Sequence, residues 1–189
     1  GFDISAMSLA KYQPADLKFN AHVMDCNNIV LEHEKYDLIV ACHGAHHVYN
    51  LGNLFYQANK ALKPHGLFYM IEWVGPEYLQ IPRANHLLSS ILLLSLFNRA
   101  IRTTHMGNVK GLQVQIPPDA FEPSEACNST ELLPQFRKYF TPLNIVGHAG
   151  LAYPIFEGIA QNIDQSKTGN QAKIRWICSC EQLFTALSI

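Results

Sequence analysis

The stretch richest in reactive side chains is YDLIVACHGAHHVYN, residues 36 to 50. A strand-like apolar run there ends in Cys42, His43 and Gly44, followed by His46 and His47. These residue types suit four chemistries: a metal site, a thiol nucleophile, an acid–base group, or the floor of a ligand cleft. Zinc and iron sites need three or four ligands converging from separate elements. Sequence neighbours such as His46 and His47 are expected to point apart, so no metal is expected. A nucleophilic Cys42 would need an activating partner and exposure, and its place near the end of an apolar strand suits a small packing residue better. Imidazole titrates near neutrality, which keeps the acid–base role open. His43 is expected to line a pocket, and His47 to face the cleft from a loop-to-helix junction.

The elements that must position these residues follow from the hydrophobic pattern. Gly1 to Ile4 reads as a strand tail, with Ser5 as N-cap of a helix reaching about Tyr12. Phe19 to Met24 is a short strand candidate stopping at Asp25. Tyr36 to Cys42 is apolar on both faces, as a central parallel strand is. Leu51, Leu54, Phe55, Ala58 and Leu62 then recur at helical spacing. Lys63-Pro64-His65-Gly66 is expected to stop that helix, and Gly66 to Trp73 to form the next strand. Strand, helix, strand at this spacing predicts a right-handed parallel crossover and an α/β fold. Residues 76 to 129 interrupt the alternation with an apolar helix (about Pro82 to Arg102) and a Pro-rich stretch, read as a lid-like insertion over a cleft. Further expectations are a helix over Thr130 to Tyr139, a strand over Asn144 to His148, and helices near Ala152 to Ile163 and Gln171 to Leu187. No repeat or linker divides the chain, so a single domain is expected.

Open α/β sheets bind ligands outside the carboxyl ends of their strands. The first strand ends in Asp3, the second in Asp25-Cys26, the third in Cys42-His43-Gly44 and the fourth in Glu72-Trp73. An acid ending the strand after the nucleotide-binding one commonly accepts from ribose hydroxyls. A second acid one strand over could accept from an adenine amino group, and a glycine lets the backbone approach a ligand. The set describes an adenosine-containing cofactor lying across the strand tips. Glu72 and Trp73 could border an acceptor pocket, with Glu125 and Tyr153 as further acceptor-site candidates.

GFDISAMSLAKY, HVMDCNN, YDLIVACHGAHHV and ALKPHGLFYMIEWVGP, in this order and spacing, resemble the class I S-adenosylmethionine-dependent methyltransferases. EPSEACNSTELLPQFRKYF and GLAYPIFEGIAQNI are similar to a bacterial subgroup acting on small molecules. The resemblance implies a Rossmann-like, doubly wound, mostly parallel sheet with helices on both faces and a helical lid. It implies S-adenosyl-L-methionine as cofactor, with Asp3 and the adjoining Ile4 at the ribose, Asp25 and Cys26 at the adenine, and Cys42, His43 and Gly44 bordering the methionine. The implied reaction moves a methyl group to an oxygen or nitrogen of a small molecule, with His47 and His46 as catalytic candidates. The alternative is a non-catalytic methyltransferase-like domain that binds a partner through its apolar insertion. The family's glycine-rich loop and last antiparallel strand do not stand in the sequence, which therefore reads as a fragment of a longer protein.

Bulk properties narrow the classes. The 189 residues, 48% hydrophobic and 15% charged, describe an ordinary globular chain of net charge −1. No Lys/Arg block offers a nucleic-acid surface. The longest apolar run, Leu87 to Phe97, is about half of the ~20 residues a membrane span requires, and no signal peptide opens the chain. That run reads as core or as a homodimer surface. Five cysteines, of which only Cys178 and Cys180 lie close, suit free thiols in a reducing cytoplasm.

Overall fold

The computed structural model describes residues 2–3, 20, 22–112, 117–120, 122–148 and 150–187. The expected helix from Ser5 to Tyr12 lies outside them. The chain forms two compact units: residues 1–79 with 118–143, and residues 80–117 with 144–189. This differs from one domain with an insertion at 76–129, because residues 80–117 group with the carboxyl-terminal segment and residues 118–129 with the first unit.

The first unit is α/β. Strands β1 (Phe2–Asp3) and β2 (His22–Val23) pair in parallel, as do β3 (Tyr36–Cys42) and β4 (Leu62–Ile71). Helix α1 (Leu51–Ala61) makes the crossover from β3 to β4. Asn50 caps it by accepting from the Asn53 N–H, and Leu51, Phe55, Ala58 and Ala61 form its buried face. Helix α3 (Ser129–Tyr139) packs on α1, and Phe55, Phe68, Phe136 and Phe140 meet there at ring-centroid separations of 4.9 to 6.4 Å. The three contacts of Phe55 are edge-to-face, and aromatic pairs of that kind add about 0.5–1.5 kcal/mol each beyond burial.

The β3–β4 pairing differs from the expected plan in two ways. Pairing begins at Leu62, directly after α1, and the register then jumps from Tyr36↔Leu62 to Leu38↔Leu67, so Lys63–Gly66 bulge out. Gly66 is required in that bulge, since a Cβ there would lie 3.0 Å from the Lys63 carbonyl oxygen and 3.1 Å from that of Tyr36. Only one face of this strand pair packs: Ala41, Phe68 and Met70 meet the aromatic core, while Leu38, Val40, Leu67 and Tyr69 are each about half exposed among the described residues.

In the second unit, α2 (Arg83–Leu96), α4 (Ala152–Phe156) and α5 (Thr168–Leu187) surround a core of Leu93, Phe97, Ile155, Ile159, Ile163 and Ile177. Helix α2 stops short of the expected Arg102, because Phe97 is extended and a turn follows in which Asn98 accepts from the Ile101 N–H. The helix expected over Ala152 to Ile163 breaks after five residues, since Gly158 takes a left-handed φ of 71°; a 3-10 turn at Ala160–Asn162 follows. Asn144 to His148 form no strand; Ile145 and Val146 are exposed, and no strand among the described residues pairs with them. No helix among the described residues is long and apolar enough to cross a membrane.

So short a helix as α4 holds because both ends are tied by charged side chains. The buried Glu181 carboxylate accepts from the N–H groups of Gly150, Leu151 and Ala152 at 2.7–2.8 Å. Lys110 donates to the carbonyls of Pro154 and Glu157, both at 2.7 Å. An anion at the amino end and a cation at the carboxyl end complement the helix dipole. Burial pulls the Lys110 ammonium below its usual range, partly offset by the charge of Glu157. Glu181→Ala leaves three amides without their acceptor and is expected to cost about 3 kcal/mol in urea unfolding. Loss of amide-exchange protection at Leu151 and Ala152, with protection on α1 unchanged, checks that the damage is local to the second unit.

Candidate active site

The site lies in the first unit, where the end of β4 meets the loop after β3. Glu72, the residue after β4, has a fully buried carboxylate. Its Oε1 accepts from the N–H groups of Gly44 and Ala45 at 2.9 Å, and its Oε2 from the His46 N–H at 3.4 Å and the His46 ring Nδ1 at 2.6 Å. Burial pushes the Glu72 carboxyl up, but hydrogen bonds from His46, Gly44 and Ala45 outweigh it and hold it below the usual carboxylate range. A carboxylate offers about four acceptor positions, and all are used. Glu72 therefore cannot border an acceptor pocket as expected; it organises the loop.

The loop it organises is a single 3-10 turn, Ala45–His47. The expectation that His46 and His47 point apart is corrected. Their rings lie 4.3 Å apart, and both face Glu125 from the turn that precedes α3. His46 Nε2 is 3.6 Å and His47 Nε2 3.9 Å from the Glu125 carboxylate. His46 is buried, whereas the His47 and Glu125 side chains are partly open to solvent, at 35% and 24%. His47 Nδ1 meets Ser124 Oγ at 3.3 Å, and that hydroxyl donates to Glu122 at 2.9 Å. Two non-glycine residues beside the cluster take left-handed backbone conformations, His43 with φ 51° and Ala126 with φ 48°. Such strain persists only where the surroundings over-determine it.

The end of β2 is knitted to the same loop by a residue the sequence reading passed over. Asn27 donates from its backbone and side chain to Asp25 Oδ1, at 2.9 and 2.8 Å, and its own Oδ1 accepts from the N–H groups of Tyr49 and Asn50. Asn28 donates to Asp25 Oδ2 at 2.8 Å. The Asn27 backbone N–H, then its side chain, hold the Asp25 carboxyl below its ordinary range. The D-x-N spacing was the available signal, because it is that of an Asx turn.

The remaining candidates divide clearly. Cys42, His43 and Gly44 are exposed at the end of β3, so Cys42 is not the packing residue expected. Cys26 is partly buried against the aromatic core. Trp73 closes the turn after β4, with its Nε1 donating to the Pro76 carbonyl at 2.9 Å. Tyr153 belongs to the second unit, where its hydroxyl donates to Glu157 at 3.0 Å. Asp3 ends β1 as expected, but its side chain, like the whole of Ile4, lies outside the described residues. Cys127 is buried and pairs weakly with the His46 carbonyl at 3.8 Å; burial raises its thiol pKa and makes it a poor nucleophile.

A parallel crossover with a polar cluster at its strand ends is an α/β arrangement. Residues 1–70, from β1 through most of β4, match the methyltransferase-domain family. A solved structure of an S-adenosylmethionine-dependent methyltransferase from Mesorhizobium loti is 26% identical over 36% of this chain and 33% of its own, with a TM-score of 0.34. The chain thus spans about a third of that protein's length. No curated protein matches it significantly.

Glu72→Ala removes the acceptor of three backbone amides and of the His46 ring. It is expected to destabilise the first unit by about 3–5 kcal/mol, with Glu72→Gln costing less because its amide oxygen still accepts. Chemical denaturation of both variants, followed by near-UV circular dichroism from the aromatic core, measures the difference.

Proposed function

We propose that the chain transfers a methyl group from S-adenosylmethionine to an oxygen or nitrogen of a small molecule. The observation that carries this reading is the methyltransferase-domain match over residues 1–70, which covers the ends of β1, β2 and β3 and the turn holding His46 and His47. Bound S-adenosylmethionine supplies an electrophilic methyl on its sulfonium. The residues present fit it. Asp25 is held ionised, and three of its roughly four acceptor positions are used, which leaves one on Oδ2 for an adenine amino group. Cys42, His43 and Gly44 give an open rim at the end of β3. Asp3 is assigned to the ribose hydroxyls.

The protein's share of the chemistry is alignment of the acceptor and removal of its proton. That work falls to the histidine cluster, where His47 is reached by solvent and His46 is buried behind it. Trp73 and Glu125 lie toward the acceptor side in this reading.

His47→Ala is expected to lower kcat by about 10²–10⁴-fold while leaving S-adenosylmethionine affinity unchanged. Transfer of labelled methyl to a panel of phenols, amines and carboxylic acids, alongside calorimetry with the cofactor, measures both. If affinity falls and kcat is kept, His47 belongs to the cofactor pocket instead. In the same calorimetry, Asp3→Ala is expected to weaken the cofactor by about ten- to a hundredfold, and Asp25→Asn by less, because the amide oxygen still accepts. Equal and negligible effects would place the cofactor elsewhere.

A further inference from the structure

The hydrogen bonds around the two histidines fix which ring nitrogen carries the proton. Glu72 is an ionised acceptor, so His46 Nδ1 donates to it, and the neutral ring keeps its lone pair on Nε2. Ser124 has one hydroxyl proton and gives it to Glu122, so it can only accept from His47 Nδ1. The His47 lone pair is therefore also on Nε2. Both Nε2 atoms stand at 3.6 and 3.9 Å from a carboxylate that is itself an acceptor. With both rings in their neutral form, three acceptors face one another among the described residues, and a cation lying among them would relieve their repulsion.

From this we infer that His46 Nε2, His47 Nε2 and Glu125 form a binding site for a divalent transition-metal ion of the zinc class. One ligand atom from each residue lies within 4.8 Å of the others. Metal–ligand bonds of about 2.0–2.2 Å in tetrahedral geometry place ligand atoms about 3.3 Å apart, so side chains whose ligand atoms lie within 4.8 Å of one another complete the triangle by closing by at most about 1.5 Å. Two imidazoles and one carboxylate suit zinc, iron or nickel, and not magnesium, which prefers oxygen donors. The outer contacts are those such a site needs: a carboxylate on one imidazole and a hydroxyl on the other, each fixing the tautomer that points Nε2 inward. Three protein ligands leave a coordination position open, and the partial exposure of His47 and Glu125 lets an oxygen ligand reach it. In the loaded state the ion occupies the His47 lone pair, and an oxygen bound at the open position would be acidified by the ion. The inference stands independently of methyl transfer, since binding is read without cofactor or acceptor.

The test is calorimetric titration of the chelator-treated, dialysed full chain with zinc chloride, and with cobalt(II), whose visible absorption reports tetrahedral coordination. One ion per chain and a cobalt spectrum are expected. Glu125→Gln should weaken zinc by at least tenfold, and Ser124→Ala, which keeps all three ligands, by a smaller factor. Glu72→Gln should weaken it by about 10–100-fold, with circular dichroism confirming that the variant is folded. The double variant Cys178→Ser, Cys180→Ser should bind as the parent does. The site is overturned by absence of binding, by full affinity in Glu125→Gln, by magnesium binding as tightly as zinc, or by loss of zinc in the cysteine double variant, which would put the ion on α5.

Discussion

The buried carboxylate of Glu72 is the interaction on which the candidate site depends. An ion taken from water into a protein interior carries a penalty of several kcal/mol unless hydrogen bonds replace its hydration. Here three backbone N–H groups and an imidazole replace it completely. The same bonds satisfy the Gly44–His46 amides, which stand at the start of a turn and have no acceptor within it. Thus one side chain at the end of β4 fixes the loop after β3, orients the His46 ring and selects its tautomer. Without it, His46 would lose the carboxylate that orients its ring beside His47 and Glu125.

The second unit uses the same device for a different purpose. Glu181 collects the amides of Gly150, Leu151 and Ala152 from a distance of about thirty residues in sequence, much as Glu72 collects those of Gly44, Ala45 and His46. The difference lies in what each carboxylate has left over. Glu181 spends its oxygens on the start of α4 and on nothing else described, so its role is structural. Glu72 keeps one position for an imidazole, and through that bond a structural cap becomes a determinant of chemistry.

The crossover of the fold was legible because periodicity reports burial. The boundaries of β3 follow from YDLIVAC and are found as expected, and α1 follows from the helical spacing of Leu51, Phe55 and Ala58 but ends one residue before the expected Leu62. What periodicity does not report is which partner is present. Asn144 to His148 has the residue types of a strand, but a strand exists only where an edge pairs with it, and none of the described strands pairs with it. The apolar residues on both faces of β3 predicted a central strand, whereas only the α1–α3 side is packed among the described residues. At the site, residue type picked out His46 and His47 as catalytic candidates and, separately, Glu72 and Glu125 as acceptor-site candidates, without bringing the four together. Their division of labour was not legible. A glutamate that touches a ligand and one that collects amides look alike in sequence, and only burial and counted hydrogen bonds tell them apart.

The adjacent histidines show where the reasoning from spacing fails. In an extended strand, successive side chains point to opposite faces, so two neighbours cannot share a target. A 3-10 turn has about three residues per turn, so successive side chains diverge by only about 120°, and long rings can lean toward a common point. Ala45–His47 is such a turn, and the rings at 4.3 Å with 39° between their planes are the result. Glu72 pins one Nδ1 and Ser124 the other, which removes the remaining ring rotation. Convergence of neighbours thus requires a tight turn, two outer hydrogen-bond partners and a third ligand from a distant element. The chain has all three in Ala45–His47, in Glu72 with Ser124, and in Glu125.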